Sequence, residues 1–201
     1  MLDRVRLKDR PDARVTSATA GAHRIDQFTI SEDEAKFHNL RCMVHGNWQD
    51  RVDPGKYTRL RRGGTIVMTD TPMELRSNRP AARCANGDVL IAGLGLGLLL
   101  DWIVDKPDVG SVTVIEKERD VIDMVAPAFP GVTVIHGDIH DAKKLLPKGK
   151  RFDFAWLDIW DNVPNGDDWE EIKKLRRSLC RRCTQTLAWR EESARYGRSR
   201  A

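Results

Sequence analysis

The stretch that decides the fold is Gly87-Asp88-Val89-Leu90-Ile91-Ala92-Gly93-Leu94-Gly95-Leu96-Gly97, followed by a helical segment and then Ser111-Val112-Thr113-Val114-Ile115-Glu116. Residues 89–92 are a short run without a polar side chain, as expected of a strand buried on both faces of a parallel sheet. Gly93, Gly95 and Gly97 let the chain turn sharply, bring backbone close to a ligand with no Cβ in the way, and open a helix against the sheet. Glu116 stands 19 residues after Gly97, at the end of the second apolar run. A carboxylate there can accept hydrogen bonds from both hydroxyls of a ribose. The layout is that of a nucleotide-binding βαβ unit, and the expected ligand contains a nucleoside.

Glycine spacing narrows the class. A dinucleotide site carries Gly-x-Gly-x-x-Gly, and its third glycine would fall at position 98, which is Leu98. A phosphate loop is excluded because no Gly-Lys-Ser/Thr follows the glycines.

Working outward, 201 residues suffice for one domain with a sizeable core. Apolar residues make up 40% and charged residues 32%, the balance of a globular chain rather than a disordered one. The longest apolar stretch, 89–100, is too short to cross a bilayer. No apolar segment follows Met1-Leu2-Asp3-Arg4 as a secretory signal would require, and the four cysteines are scattered. Both point to a reducing cytoplasm. The net charge of +4 permits an anionic partner.

The expected organisation is an arm and short helix over 1–56, a β-hairpin over 57–80, an α/β domain over 81–190 and a charged tail over 191–201. Residues 1–27 read as loosely ordered, being rich in Arg, Asp, Ala and Thr without periodicity. Ser31-Glu32-Asp33-Glu34 has the form of a capping box and predicts a helix to about residue 40. Gly63-Gly64 is a hairpin turn signal between extended runs, and Pro72 ends the second of them. After the first helix (98–105) come a helix over 120–128 and a strand over 132–135. A helix over 141–146, a strand over 152–157, a helix over 167–179 and a fifth strand over 184–189 complete the pattern. Glu116, Asp138 and Asp158 then fall at carboxyl ends of strands, where open α/β sheets bind ligands.

These residues resemble the class I S-adenosylmethionine-dependent methyltransferase superfamily, and within it the spermidine-synthase-like branch, over residues 87–162. Residues 89–97 resemble the family's first motif, whose loop binds the methionine part of the ligand. Val114-Ile115-Glu116-Lys117-Glu118-Arg119-Asp120-Val121-Ile122 resembles the second, and Gly137-Asp138 the third. Asp158-Ile159-Trp160-Asp161 is similar to the Asp-x-x-Asp of aminopropyltransferases, whose first aspartate faces the attacking amine. The sequence departs from those enzymes at Leu96, where they carry an acidic residue, and at Asn162, where they carry proline. The resemblance implies a Rossmann-like, doubly wound, mostly parallel sheet of order 3-2-1-4-5 with a small N-terminal β-hairpin extension. It also implies S-adenosylmethionine as cofactor, held by Gly93, Gly95, Gly97, Glu116, Lys117, Asp138, Ile139 and Asp158.

Methyl transfer to an unidentified acceptor is the first reading. Aminopropyl transfer and a non-catalytic nucleic-acid-binding protein with a degenerate pocket are the alternatives. Asp158 is the first candidate for orienting or deprotonating the acceptor, with Asp161 and Asp70 next. Trp160, Thr69 and Asp70 are the candidate acceptor contacts. His136-Gly137-Asp138-Ile139-His140-Asp141 contains metal-ligating types, but no metal is expected because the resemblance implies that Asp138 reaches the adenine amino group of the cofactor. Cys180 and Cys183 form a lone Cys-x-x-Cys and read as ordinary helix-end cysteines. Lys173, Lys174, Arg176, Arg177, Arg181 and Arg182, followed by Arg190, Arg195, Arg198 and Arg200, offer a basic surface for nucleic acid.

Overall fold

The computed structural model describes residue 11 and residues 13–196. Its first half is an antiparallel sheet of β1 (Ala18–Ala20), β2 (His23–Ile30), β3 (Gly55–Arg62) and β4 (Thr65–Thr69), in that spatial order. The hairpin between β3 and β4 turns at Gly63-Gly64, with Gly63 in the left-handed region that this turn requires. Between β2 and β3 lies α1 (Glu32–Val44), started by the predicted capping box: Glu34 N donates to Ser31 Oγ and Ser31 N donates to Glu34 Oε2.

Two expectations are corrected here. Residues 1–27 are not a loose arm throughout, because β1 and the start of β2 fall within them, and β2 pairs with β3 along its whole length. The charged composition that suggested an arm is used across the strands: Asp26 accepts from Arg59 Nε at 2.6 Å and Arg61 at 2.7 Å, and the two guanidiniums hold its carboxyl below the usual range against the burial that would raise it. The tail also contains α7 (Glu191–Tyr196), whose Ala194 is buried and whose Glu191 pairs with Arg176. Residues 1–10 and 197–201, including Arg198 and Arg200, lie outside the described residues.

Straight after the hairpin comes α2 (Pro72–Cys84), which the sequence reading did not anticipate. Proline suits its first turn, where the missing N–H would have had no partner. The second half is a parallel sheet of β5 (Gly87–Ala92), β6 (Val109–Glu116), β7 (Thr133–His136), β8 (Phe152–Leu157) and β9 (Cys183–Ala188). Their spatial order, β7-β6-β5-β8-β9, is 3-2-1-4-5 counted from β5, the expected Rossmann-like arrangement. The connecting helices are α3 (Leu98–Ile103), α4 (Arg119–Val125), α5 (Ala142–Leu145) and α6 (Asp168–Leu179).

The central strand shows why the apolar run was needed. Val89 and Ile91 pack into one cluster with α2 and α3 residues, while Leu90 and Ala92 pack into another with α6 residues Ile172, Leu175 and Leu179. Each fully buried aliphatic side chain contributes about 1.5–3 kcal/mol. Among the described residues no helix is long and apolar enough to cross a membrane.

Candidate functional site

A cavity of about 470 Å³ opens at the carboxyl ends of β5 to β8, roofed by the β3–β4 hairpin and flanked by α2. Its floor is set by the glycine loop. A Cβ on Gly93, which sits at φ 97, would run into the carbonyl oxygen of Asp158. A Cβ on Gly95, at φ 52, would overlap the Met68 sulfur. Gly97 does a different job: it caps α3 in the left-handed region, packs against Phe129, and is not among the residues that line the cavity.

Glu116 is 8% exposed and faces this floor. Its Oε2 accepts from Leu94 N at 2.6 Å and its Oε1 from Glu118 N at 2.8 Å, so one carboxylate pins the glycine loop to the segment that starts α4. Asp138 and Ile139 line the neighbouring wall. Asp138 Oδ1 accepts from His140 N at 2.9 Å, and Lys117 Nζ stands 3.8 Å from Asp138 Oδ2 at the exposed rim. Thus Gly93, Gly95, Glu116, Lys117, Asp138 and Ile139 line one cavity.

The opposite wall joins Asp158, Trp160 and Asp161 to residues that sequence reading missed. Asp158 follows β8; burial, opposed by the Trp156 indole and reinforced by the Glu116 charge, pushes its carboxyl up to about 7. Among the described residues Trp156 Nε1 is buried without a hydrogen-bond partner. Facing it, α2 contributes Glu74 and Asn78. Burial and the nearby Asp158 charge push Glu74 up to about 8, against the opposing pull of Arg190 and Ser77. Trp189, just past β9, donates from Nε1 to Ser77 Oγ at 2.8 Å, and Ser77 donates to Glu74 O at 2.9 Å with Glu74 Oε2 at 3.4 Å. Trp160 lines the cavity and donates to Glu171 Oε2 at 2.8 Å.

The hairpin is tied over the opening. Arg62 pairs with Asp161 and lies 3.6 Å from Glu118, so it bridges both walls. Met68 Sδ sits 3.3 Å from Leu96 N of the glycine loop. His23, also in the cavity wall, bonds Asp120 Oδ2 of α4 through Nδ1 at 3.0 Å.

Thr69 and Asp70 are not brought to the cavity, which corrects their assignment as acceptor contacts and that of Asp70 as a catalytic candidate. Asp70 turns back into the sheet, where Oδ1 accepts from Thr58 N at 2.7 Å, and Thr69 Oγ1 pairs with Thr71 Oγ1 at 2.8 Å. A strand end with polar side chains looks the same in sequence whether those side chains close the turn or face a ligand. Glu74 and Asn78 did carry a signal, a polar pair four residues apart on a face that otherwise buries Leu75, Ala81 and Ala82. That signal is visible only once 72–84 is known to be a helix.

Other candidates are engaged within the chain. His136 Nε2 contacts Lys117 O at 3.1 Å and His140 Nε2 contacts Glu171 Oε1 at 2.9 Å. Among the described residues no group of three or more His, Cys, Asp or Glu is placed to hold a metal ion. Cys183 is buried, which pushes its thiol up to about 11, and Cys180 is exposed. Arg176 pairs with Glu191, Lys173 with Glu170, and Arg190 with Asp50, while Arg182 donates to Pro147 O at 2.9 Å.

No protein-family model matches the chain, and no curated protein matches it by sequence. Solved structures match it in part. CalS10, an amino pentose methyltransferase from Micromonospora echinaspora solved with SAM bound, aligns at 22% identity and a TM-score of 0.32 over 42% of this chain and 34% of that one. DesVI from Streptomyces venezuelae aligns at 19% identity and a TM-score of 0.38, over 54% and 41%. The plantazolicin methyltransferase BpumL, in complex with SAH, aligns at 18% identity and a TM-score of 0.37, over 54% and 40%. The match therefore spans well under half the length of each solved chain.

Proposed function

We propose that this protein is an S-adenosylmethionine-dependent methyltransferase. The observation that carries the reading is Glu116: a buried carboxylate that holds the glycine loop through Leu94 N and faces a cavity at the strand ends. Each of its oxygens accepts one backbone amide, which leaves a further lone pair for a ribose hydroxyl. Gly93 and Gly95 line the cavity without side chains, so a ligand can approach their backbone closely. A volume of about 470 Å³ falls within the range of about 300–1,000 Å³ for small-molecule sites. The residues present fit the cofactor.

When bound, S-adenosylmethionine supplies a methyl group already activated by its sulfonium. The protein's share is then alignment and proton removal. Asp158 is the residue we assign to orient the acceptor and take its proton, because a carboxyl pushed up to about 7 exchanges protons near neutral pH. Lys117, Asp138 and Ile139 are assigned to the adenine side, and Trp160 and Asp161 to the acceptor side.

Calorimetric titration with S-adenosylmethionine and S-adenosylhomocysteine tests the reading. Both ligands are expected to bind wild-type protein, to lose about 100-fold in affinity in Glu116→Ala, and to bind Asp158→Asn nearly unchanged. Failure of the intact protein to bind either ligand would remove the proposal.

A further inference from the structure

We propose that the outer face of α1 pairs with the same face of a second copy of this chain, the two helices running antiparallel about a two-fold axis. This goes beyond the proposed chemistry and does not rest on it, since no residue of α1 lines the cavity.

The first ground is a helix whose apolar face points outward. Ala35 and Cys42 are the buried residues of α1, seven positions apart and so on one side of the helix. That side is tied to the body: next to them, Asn39 Nδ2 donates to Val52 O at 2.8 Å and His38 Nε2 contacts Asp50 O at 2.9 Å. Phe37, Leu40 and Val44 follow one another at spacings of three and four, the a-d-a seam of a heptad. In that register Ala35 and Cys42 are both f, the position opposite the seam. Phe37, Leu40 and Val44, with Met43 beside them, are between 50% and 74% exposed. A stripe of large apolar side chains left in water marks a protein–protein contact.

The second ground is charge, which selects the occupant and its direction. Beside the seam Glu34 and Arg41 hold the e positions, and Lys36 and Met43 the g positions. Turning one helix end for end sets each flank against the same flank of its partner. Glu34 of one copy then meets Arg41 of the other, and the two-fold axis makes this pair twice. On the other flank Lys36 meets Met43. A parallel pair would bring g against e and set Lys36 beside Arg41, two like charges. Glu34 is a carboxylate, because the bonds that it receives from Ser31 hold it below its usual range, and those bonds use Oε2. The antiparallel arrangement also sets the acidic first turn, with Glu32 and Asp33, toward the last turn of the partner, so the helix dipoles oppose.

The third ground is self-complementarity. A two-fold contact needs a patch that matches itself after a half-turn. With the axis passing between Phe37 and Leu40, each ring packs against the leucine of the other copy, and the charged flanks fall into register at the same time. A partner of different sequence would have to supply the same stripe with its charges reversed end to end, and a second copy already carries it.

The test is sedimentation equilibrium of the full chain at concentrations from about 1 to about 200 µM. The mass is expected to rise from 22.8 kDa toward twice that value, and Leu40→Asp is expected to hold it at 22.8 kDa throughout. Glu34→Lys and Arg41→Glu, each alone, are expected to weaken dimerisation about tenfold, because each makes both charge pairs repulsive. An equimolar mixture of these two variants is expected to regain wild-type affinity, since each supplies the charge that the other lacks. Far-UV circular dichroism equal to that of wild type at about 1 µM, where all are monomers, reports that the variants fold. A monomer at every concentration overturns the proposal, whether residues 1–10 of the same chain or water then covers the stripe. So does a dimer that Leu40→Asp leaves intact, and so does a mixture that dimerises no better than its components.

Discussion

The wall we assign to the cofactor and the wall we assign to the acceptor enclose one cavity but are built from different kinds of sequence. Gly93, Gly95, Glu116 and Asp138 come from one continuous run, in which each strand delivers its last residue to the same edge of a parallel sheet. Glu74, Asn78, Asp158 and Trp189 come from a helix before that sheet and from the ends of its fourth and fifth strands. The first wall is rigid backbone stitched by one carboxylate. The second is a set of side chains with raised carboxyls and, among the described residues, unmet polar atoms. In the function proposed above, backbone geometry meets the cofactor and side chains meet the acceptor, and those side chains can change without disturbing the sheet.

The sharpest way to break this comparison is to put a side chain into the rigid wall. Gly93→Ala is expected to lose about 2–5 kcal/mol, combining about 1–2 kcal/mol for a left-handed φ with about 1–3 kcal/mol for overpacking against the Asp158 carbonyl. Gly131→Ala, where nothing lies within 4 Å, is the control. Urea denaturation of both variants checks the contrast.

The side-chain wall should announce itself by pH. Glu74 goes from an ordinary 4.5 to about 8, so the folded state binds its proton more tightly than the unfolded state does. Its stabilising contribution is complete below about pH 4.5 and is lost as pH rises toward about 8, and Asp158 acts with the same sign between 3.8 and about 7. Stability is expected to fall by on the order of 2 kcal/mol or more between pH 5.5 and 8.5, and Glu74→Gln should flatten the slope. A wild-type profile that rises over this window would falsify the burial of these carboxyls.

Glu116→Ala sits between the two regimes. It leaves Leu94 N and Glu118 N without their acceptor and is expected to cost about 2 kcal/mol in stability besides its effect on cofactor affinity. Thermal melts with and without S-adenosylhomocysteine separate the two losses. The smallest effect is assigned to Arg62→Ala: its partners Asp161 and Glu118 are partly exposed, so stability should move by less than about 1 kcal/mol. Faster dissociation of S-adenosylhomocysteine in stopped-flow is the expected signature of an untied hairpin.

The strands, the glycine loop and the position of Glu116 were determined by the sequence alone, while the sheet order was what the family resemblance implied. Period, apolar run and glycine placement are local properties, so they can be read residue by residue. The Gly63-Gly64 turn and the capping box at Ser31 were legible for the same reason. What only the tertiary structure decided is the wall we assign to the acceptor. Asp70 and Glu74 are four residues apart and both acidic, yet one folds back onto Thr58 and the other faces the cavity with Asp158. Their fates depend on where the hairpin ends, on α2 starting at Pro72, and on Trp189 arriving from the far end of the chain to hold Ser77. Local patterning carries no record of such meetings, because the free energy that selects them comes from burial and hydrogen bonds between segments that sequence alone leaves apart.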